Sequence, residues 1–159
     1  RSVLEMLDMD PEHRPAFVTL PDVVAGGLDS LRLSLSWLHR VGRLDLRFAI
    51  VVQNGMTPAD IPWDAPFDVV FVGGSTEWKI ATMAAWARAA HAHGRKCHVG
   101  RVSSAKRLAM AMTADVDSGD TAAILFAERN LRPWLAQLRE SVQRGWDFDG
   151  ARELYGSPA

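Results

Sequence analysis

The chain has 159 residues, 48% of them apolar and 23% charged, with a formal net charge of −1. That is one domain's length at ordinary globular composition, enough to bury a core without covalent staples. The near-neutral balance excludes a binder that relies on bulk charge, the single cysteine, Cys97, excludes an internal disulfide and a multi-cysteine zinc site, and no apolar run approaches the ~20 residues of a membrane span.

Residues 1–15 offer a short helical piece and a loop. The start at Arg1 instead of Met reads as processed or trimmed, and no signal-peptide pattern is seen. Residues 16–20 form a short apolar run closed by Pro21-Asp22, a strand by its composition. Residues 27–41 place Leu28, Leu31, Leu35 and Leu38 on one helical face. A β-branched run over 48–52 ends in Gln53-Asn54-Gly55, and another over 68–72 ends in Gly73-Gly74-Ser75-Thr76. A helix over 77–91 carries Ile80, Met83, Ala84 and Ala87 on one stripe, with Thr76 as N-cap and Gly94 as the residue that stops it. Residues 97–99 are strand-like and end at Gly100-Arg101. Ser103 or Ser104 caps a helix through Met112. Val116 centres a very short fifth strand over 115–117. A further helix spans 131–142, with Leu131, Trp134, Leu135 and Leu138 inward.

Successive βα units predict a parallel α/β sheet covered on both faces. Two architectures fit: a (β/α) barrel of TIM type of which only the later units are present, or a five-stranded doubly wound sheet. Residues 1–145 read as one α/β catalytic-type domain and 146–159 as a peripheral tail.

In either architecture chemistry collects at the C-terminal ends of the strands. Those ends carry Asp22, Gln53-Asn54-Gly55, Gly73-Gly74, His98-Val99-Gly100-Arg101 and Asp117-Ser118-Gly119-Asp120. The set offers carboxylates, an amide, glycine-freed N–H groups and a guanidinium. No GxxxxGK[ST], GxGxxG or HExxH pattern occurs, so neither a cofactor nor a metal is expected. A purine-like base needs a carboxylate for its ring N–H and amine, an amide, and N–H donors for its carbonyl oxygen. Asp22, Gln53 and Gly73-Gly74 supply those types, with Asp120 as candidate nucleophile or base. Read singly, Asp22 is a turn residue capping the next helix, and Gly73-Gly74 a tight turn. Lys79, Arg101, Lys106 and Arg107 lie near the same loops and suit phosphates, or else a solvated helix face. Glu77 complements the helix dipole, and Trp78 is core or a stacking surface. His91 and His93 read as solvated residues at a helix end.

From Pro21 to Thr121 the chain resembles the later part of the guanine transglycosylase barrel, the family of queuine tRNA-ribosyltransferase. It is most similar to short phage and bacterial relatives that insert 7-deazaguanines into DNA. The resemblance rests on Leu20-Pro21-Asp22, Ile50-Val51-Val52-Gln53-Asn54-Gly55, Phe71-Val72-Gly73-Gly74, His98-Val99-Gly100-Arg101-Val102 and Asp117-Ser118-Gly119-Asp120-Thr121. It implies that Asp22 and Gln53 read the incoming base, that Gly73 and Gly74 hold its carbonyl, and that Asp120 is the covalent nucleophile. Asp117 and Arg101 would support Asp120, Arg101 by holding its carboxyl low. It further implies base exchange in DNA or tRNA, a cytoplasmic setting, and a second copy or partner chain completing the barrel. The family's cysteine-based zinc module is absent. Its general-base aspartate, in a DSGGFQ-like segment, has no counterpart before Asp22, so the N-terminal strands are expected to be missing. Two other readings stand beside this one. One is a barrel lyase or aldolase, although Lys79 falls in a helix and Lys96 at a strand start. The other is a non-catalytic base-binding subunit of a split transglycosylase.

Overall fold

The computed structural model describes residues 3–121 and the single position 136. The helix expected over 131–142, position 136 apart, and the tail over 146–159 lie outside the described residues.

The elements run α1 (Val3–Leu7), β1 (Val18–Thr19), α2 (Leu28–Val41), β2 (Phe48–Val52), β3 (Val69–Val72), α3 (Thr76–Ala92), β4 (Lys96–Val99), α4 (Ala105–Thr113) and β5 (Ser118–Gly119), with short 3-10 turns at Pro11–His13 and Pro58–Asp60. The five strands form one sheet in the order β1-β2-β3-β4-β5, every neighbouring pair parallel. Strand order follows chain order without reversal.

Register divides the sheet into two faces, because successive strand side chains point to opposite sides. Ile50 pairs with Val70 and Val70 with Cys97, while Val52 pairs with Val72 and Val72 with Val99. This outer face joins Leu31 and Leu38 of α2, Met83, Trp86, Ala87 and Ala90 of α3, and Leu108 and Ala111 of α4 in one buried cluster. Each fully buried Val, Ile or Phe there contributes about 1.5–3 kcal/mol. The inner face carries Ala49, Val51, Val69, Phe71, His98 and Ser118.

The sheet is curled into a half-barrel. Phe17, just before β1, meets the His98 ring of β4 edge-on with centroids 5.1 Å apart. Three strand spacings of a flat sheet would hold those backbones roughly 14 Å apart. The contact therefore crosses a concave inner face. Beside β1, the edge strand among the described residues, an apolar groove of about 400 Å³ runs past Val18, Leu20, Trp37, Val41, Leu44 and Phe48.

Several boundaries differ from the expectation for local reasons. α3 is capped by Ser75, whose Oγ accepts from the Trp78 N–H at 3.3 Å, and not by Thr76, which opens the helix. Its far end is the expected glycine stop. Gly94 has φ +66°, its N–H reaches the His91 carbonyl, and the Arg95 N–H reaches back to that of Ala90. α4 ends in the same way with Asp115 at φ +59°, and this displaces the fifth strand. The Val116 N–H is bound to the Ala111 carbonyl at 3.1 Å, closing the helix, so Val116 is fully buried but precedes the strand it was expected to centre. Leu28 and Ile80, each placed on the apolar face of its helix by the sequence, are 44% and 38% exposed. On α2 the buried face includes Ser30 and Ser34, and on α3 it runs through Lys79, Met83, Trp86, Ala87 and Ala90.

Candidate functional site

Asp22 leaves β1 in a loop tied down by two serines of α2, both fully buried. Ser34 Oγ donates to the Pro21 carbonyl at 2.9 Å, and the Val23 N–H donates to Ser30 Oγ at 3.2 Å. Asp22 caps no helix, since α2 starts after Gly27. Its Oδ2 accepts instead from Gln53 Nε2 at 2.7 Å. Gln53, at the end of β2, is 3% exposed, and Nε2 also approaches Ser30 Oγ at 3.4 Å. Its Oε1 is buried with no hydrogen-bond partner among the described residues. A buried acceptor left empty costs about 1–3 kcal/mol, which a ligand donor would recover.

The next two strand ends are locked together. Asn54 Oδ1 accepts from the Ser75 N–H at 2.8 Å, and Asn54 Nδ2 donates to Ser75 Oγ at 3.2 Å. Gly74 fits beneath this bridge at φ +76°. A Cβ there would collide with Asn54 Oδ1 and lie 3.1 Å from the Trp78 ring. Of the two glycine N–H groups expected to hold a base carbonyl, that of Gly73 is committed to the Val52 carbonyl at 2.9 Å. No backbone bond among the described residues uses the Gly74 N–H. Trp78 is partly buried against the core, 6.2 Å from the Trp86 ring, so the core reading holds for it.

Asp120 ends β5. Its Oδ1 accepts from the Arg101 N–H at 2.9 Å, and its Oδ2 faces His98 Nε2 at 3.3 Å. The other ring nitrogen, Nδ1, meets Ser118 Oγ at 2.8 Å. The ring lies between Phe17 and Phe71, whose centroids are 5.1 and 4.7 Å away. Gly100 makes room, because a Cβ there would fall 2.6 Å from the Phe71 ring. The Asp120 carboxyl is held below the usual carboxylate range. The His98 hydrogen bond contributes most, and the Arg101 N–H and the Lys79 charge add to it against the opposing effect of burial. Its side chain remains 49% exposed.

Lys79 does not stand free to meet phosphate. It is 6% exposed and donates Nζ to the Gly100 carbonyl. Burial lowers its pKa, the charges of Arg101 and Arg107 lower it further, and Asp120 opposes them. Arg101 is exposed at φ +57°, Lys106 is exposed, and Arg107 is hydrogen-bonded through Nη1 to Ser103 Oγ. A small cleft of about 20 Å³ separates α3 from α4 among Lys79, Ile80, Met83, Arg101 and Arg107.

Asp117 stands apart from Asp120. Its Oδ2 accepts from the Cys97 N–H and from His91 Nε2, each at 2.7 Å, and its Oδ1 lies 3.2 Å from Lys96 Nζ. Burial pushes this carboxyl up, but the bonds from His91, Cys97 and Lys96 outweigh it and hold the group low. Asp117 ties the end of α3 to the start of β4. His91 and His93 are both exposed at the helix end, as expected, with His91 also paired to Asp117 and His93 stacked on Trp63 with centroids 4.4 Å apart. Burial, with the Asp117 charge, pushes the Cys97 thiol far up, which leaves it unreactive.

The structure thus brings Asp22 together with Gln53, Gly74 with Asn54, and Asp120 with Arg101 and Lys79. Ser30, Ser34 and Ser118 carry no role in the sequence reading, and neither does the His98 side chain. The one available signal is alternation: Ser118 and Asp120 are two apart and so share a face.

Comparison with protein-family models, with curated proteins and with solved structures finds no match for this chain.

Proposed function

We propose that this chain carries the base-reading and nucleophilic half of a guanine transglycosylase-type site, and that the half-barrel is the later part of a (β/α) barrel. The unreversed strand order and the curl favour that barrel over a doubly wound sheet, which reverses its order at a switch point.

The observation that carries the reading is the Asp22–Gln53 pair. An exposed carboxylate is bonded to a buried amide whose Oε1 is unfilled. A guanine or 7-deazaguanine edge presents a ring N–H and an exocyclic amine, donors that match those two acceptors. The Gly74 N–H is available for its carbonyl oxygen.

Asp120 then attacks C1′ of a guanosine nucleotide. The Asp120 Oδ–C1′ bond forms as the C1′–N9 bond breaks, and guanine departs with the electron pair and takes up a proton. A deazaguanine attacks C1′ in turn, releases the carboxylate and loses its own proton. A depressed carboxyl suits this chemistry, because an ionised oxygen faces an oxocarbenium-like transition state. The target base must leave its stack to reach the site. Arg101, whose N–H binds Asp120, and Lys106 are exposed and are cations suited to the polynucleotide backbone. No DSGGFQ-like segment, which carries the family's general base, precedes Asp22.

The test is incubation with guanine-containing DNA and with tRNA, then denaturing gels for a covalent adduct and exchange of labelled guanine. An adduct present with the native chain and absent from Asp120→Asn supports the reading. Base binding without adduct or exchange overturns it in favour of a non-catalytic base-binding subunit. A borohydride-trapped Schiff base would favour the lyase.

A further inference from the structure

Two side-chain contacts at the ends of β4 and β5 belong to a residue with no assigned step in the reaction above. His98 is 7% exposed and is the only residue of β4 with a ring on the concave face. Phe17 and Phe71 enclose the ring, Ser118 Oγ lies on Nδ1, and Asp120 Oδ2 lies on Nε2.

We propose that His98 is a positioning residue for Asp120, locked by Ser118 so that its Nε2–H is donated to the Asp120 carboxylate. A hydroxyl can donate or accept, and a carboxylate can only accept. When the ring is neutral, only one arrangement satisfies both contacts: Ser118 O–H donates to bare Nδ1, and Nε2–H donates to Oδ2. With the Arg101 N–H on Oδ1, both Asp120 oxygens are then held by donors, and the carboxylate is fixed in rotation. Phe17 and Phe71 pack on the imidazole and leave His98 7% exposed. The other charge acting on Asp120 is Lys79 from α3, while Arg101 meets it through its backbone N–H. The catalytic consequence rests on the transglycosylase reading, while the hydrogen-bond chain itself does not.

Long-range 1H–15N NMR of the labelled chain at neutral pH reads the ring directly. A proton on Nε2 is expected, and a ring with bare Nε2 overturns the proposal. A 13C titration of the Asp120 carboxyl provides the second readout. His98→Phe should raise its midpoint by about one pH unit, through loss of a donor to the charged form. His98→Gln, whose amide nitrogen sits near the Nε2 position, should stay closer to the native value. Ser118→Ala should shift it in the same direction by less, and Ser118→Thr, which keeps the hydroxyl, should not. An Asp120 midpoint unmoved in His98→Phe overturns the positioning role, and one unmoved in Ser118→Ala overturns the lock. Neither measurement contains nucleic acid or base. If both hold and no exchange is found, the transglycosylase reading fails and the positioning stands.

Discussion

Gln53 and Asp22 are 31 residues apart in sequence, yet Gln53 Nε2 sits 2.7 Å from Asp22 Oδ2 across the ends of neighbouring parallel strands. The contact orients the amide. With Nε2 committed to the carboxylate, Oε1 is the acceptor without a partner among the described residues. Ser30 and Ser34 hold the loop that carries Asp22, so the orientation is built into the α2 face and not into the loop alone.

The base edge should therefore depend on both residues. Gln53→Ala is expected to weaken 7-deazaguanine binding by about 1–3 kcal/mol, the cost of an unpaired buried polar group, and Asp22→Asn, at an exposed carboxylate, by less. Ser34→Ala should weaken it by less, through the loop. Isothermal calorimetry on the three variants checks this, and unchanged affinity in the first two would remove the base-reading role.

Gly74 and Gly55 allow a clean comparison. Both have positive φ, +76° and +84°. Gly55 has open space where a Cβ would go, whereas at Gly74 a Cβ meets Asn54 and Trp78. Gly55→Ala should cost only the left-handed backbone penalty, about 1–2 kcal/mol. Gly74→Ala should cost more, because clearing the clash breaks the Asn54–Ser75 bridge. Urea unfolding midpoints of the two variants measure the difference, and equal losses would show that the bridge contributes nothing.

Asp117 predicts a pH dependence. Its carboxyl is lowered from 3.8, so the folded state binds its proton less readily than the unfolded chain. The stabilisation is present above about pH 3.8 and is lost as pH falls through the folded value. Asp117→Asn removes the charge from the bonds to His91, Lys96 and the Cys97 N–H. It should cost about 1.5–3 kcal/mol at neutral pH, the range for a charge-assisted hydrogen bond in a side chain only 20% exposed. The difference from the native chain should shrink on acidification. A difference constant from pH 6 to pH 3 would refute the assignment.

The strands were legible where side chains decide them. β2 coincides with its β-branched run at both ends, because five consecutive buried positions leave no other local structure. β5 was not legible, since its position depends on how α4 ends: Asp115 turns left-handed and consumes the Val116 N–H. The candidate site divides in the same way. Asp22, Gln53 and Asp120 stand out as polar residues ending apolar runs. The His98–Ser118–Asp120 chain depends on the register of β4 against β5, His98 opposite Ser118, which no local pattern encodes. Lys79 was misjudged because a lysine one turn into a helix reads as exposed, and here the Gly100 carbonyl gives its ammonium a buried acceptor.

Lys79 should make alkaline stability rise. Its folded pKa lies below 10.5, chiefly through burial, so there is a window in which the folded state has lost the proton and the unfolded chain still holds it. Where the unfolded state binds more protons, stability increases with pH. Below that window both states are charged and the folded one bears the cost of desolvation; above it both are neutral and the cost is gone. The native chain should therefore gain stability relative to Lys79→Met as pH climbs toward 10.5. Lys79→Met keeps the aliphatic packing against the α3–α4 cleft while losing the bond to Gly100 and the positive charge behind Asp120. The Asp120 carboxyl should rise in the variant, because that charge is one of the groups holding it low. Guanidinium midpoints of both proteins from pH 8 to 10.5, with a 13C titration of Asp120, measure the two effects. A stability difference independent of pH would mean that Lys79 is as well solvated folded as unfolded, and that its contact with Gly100 does not persist in solution.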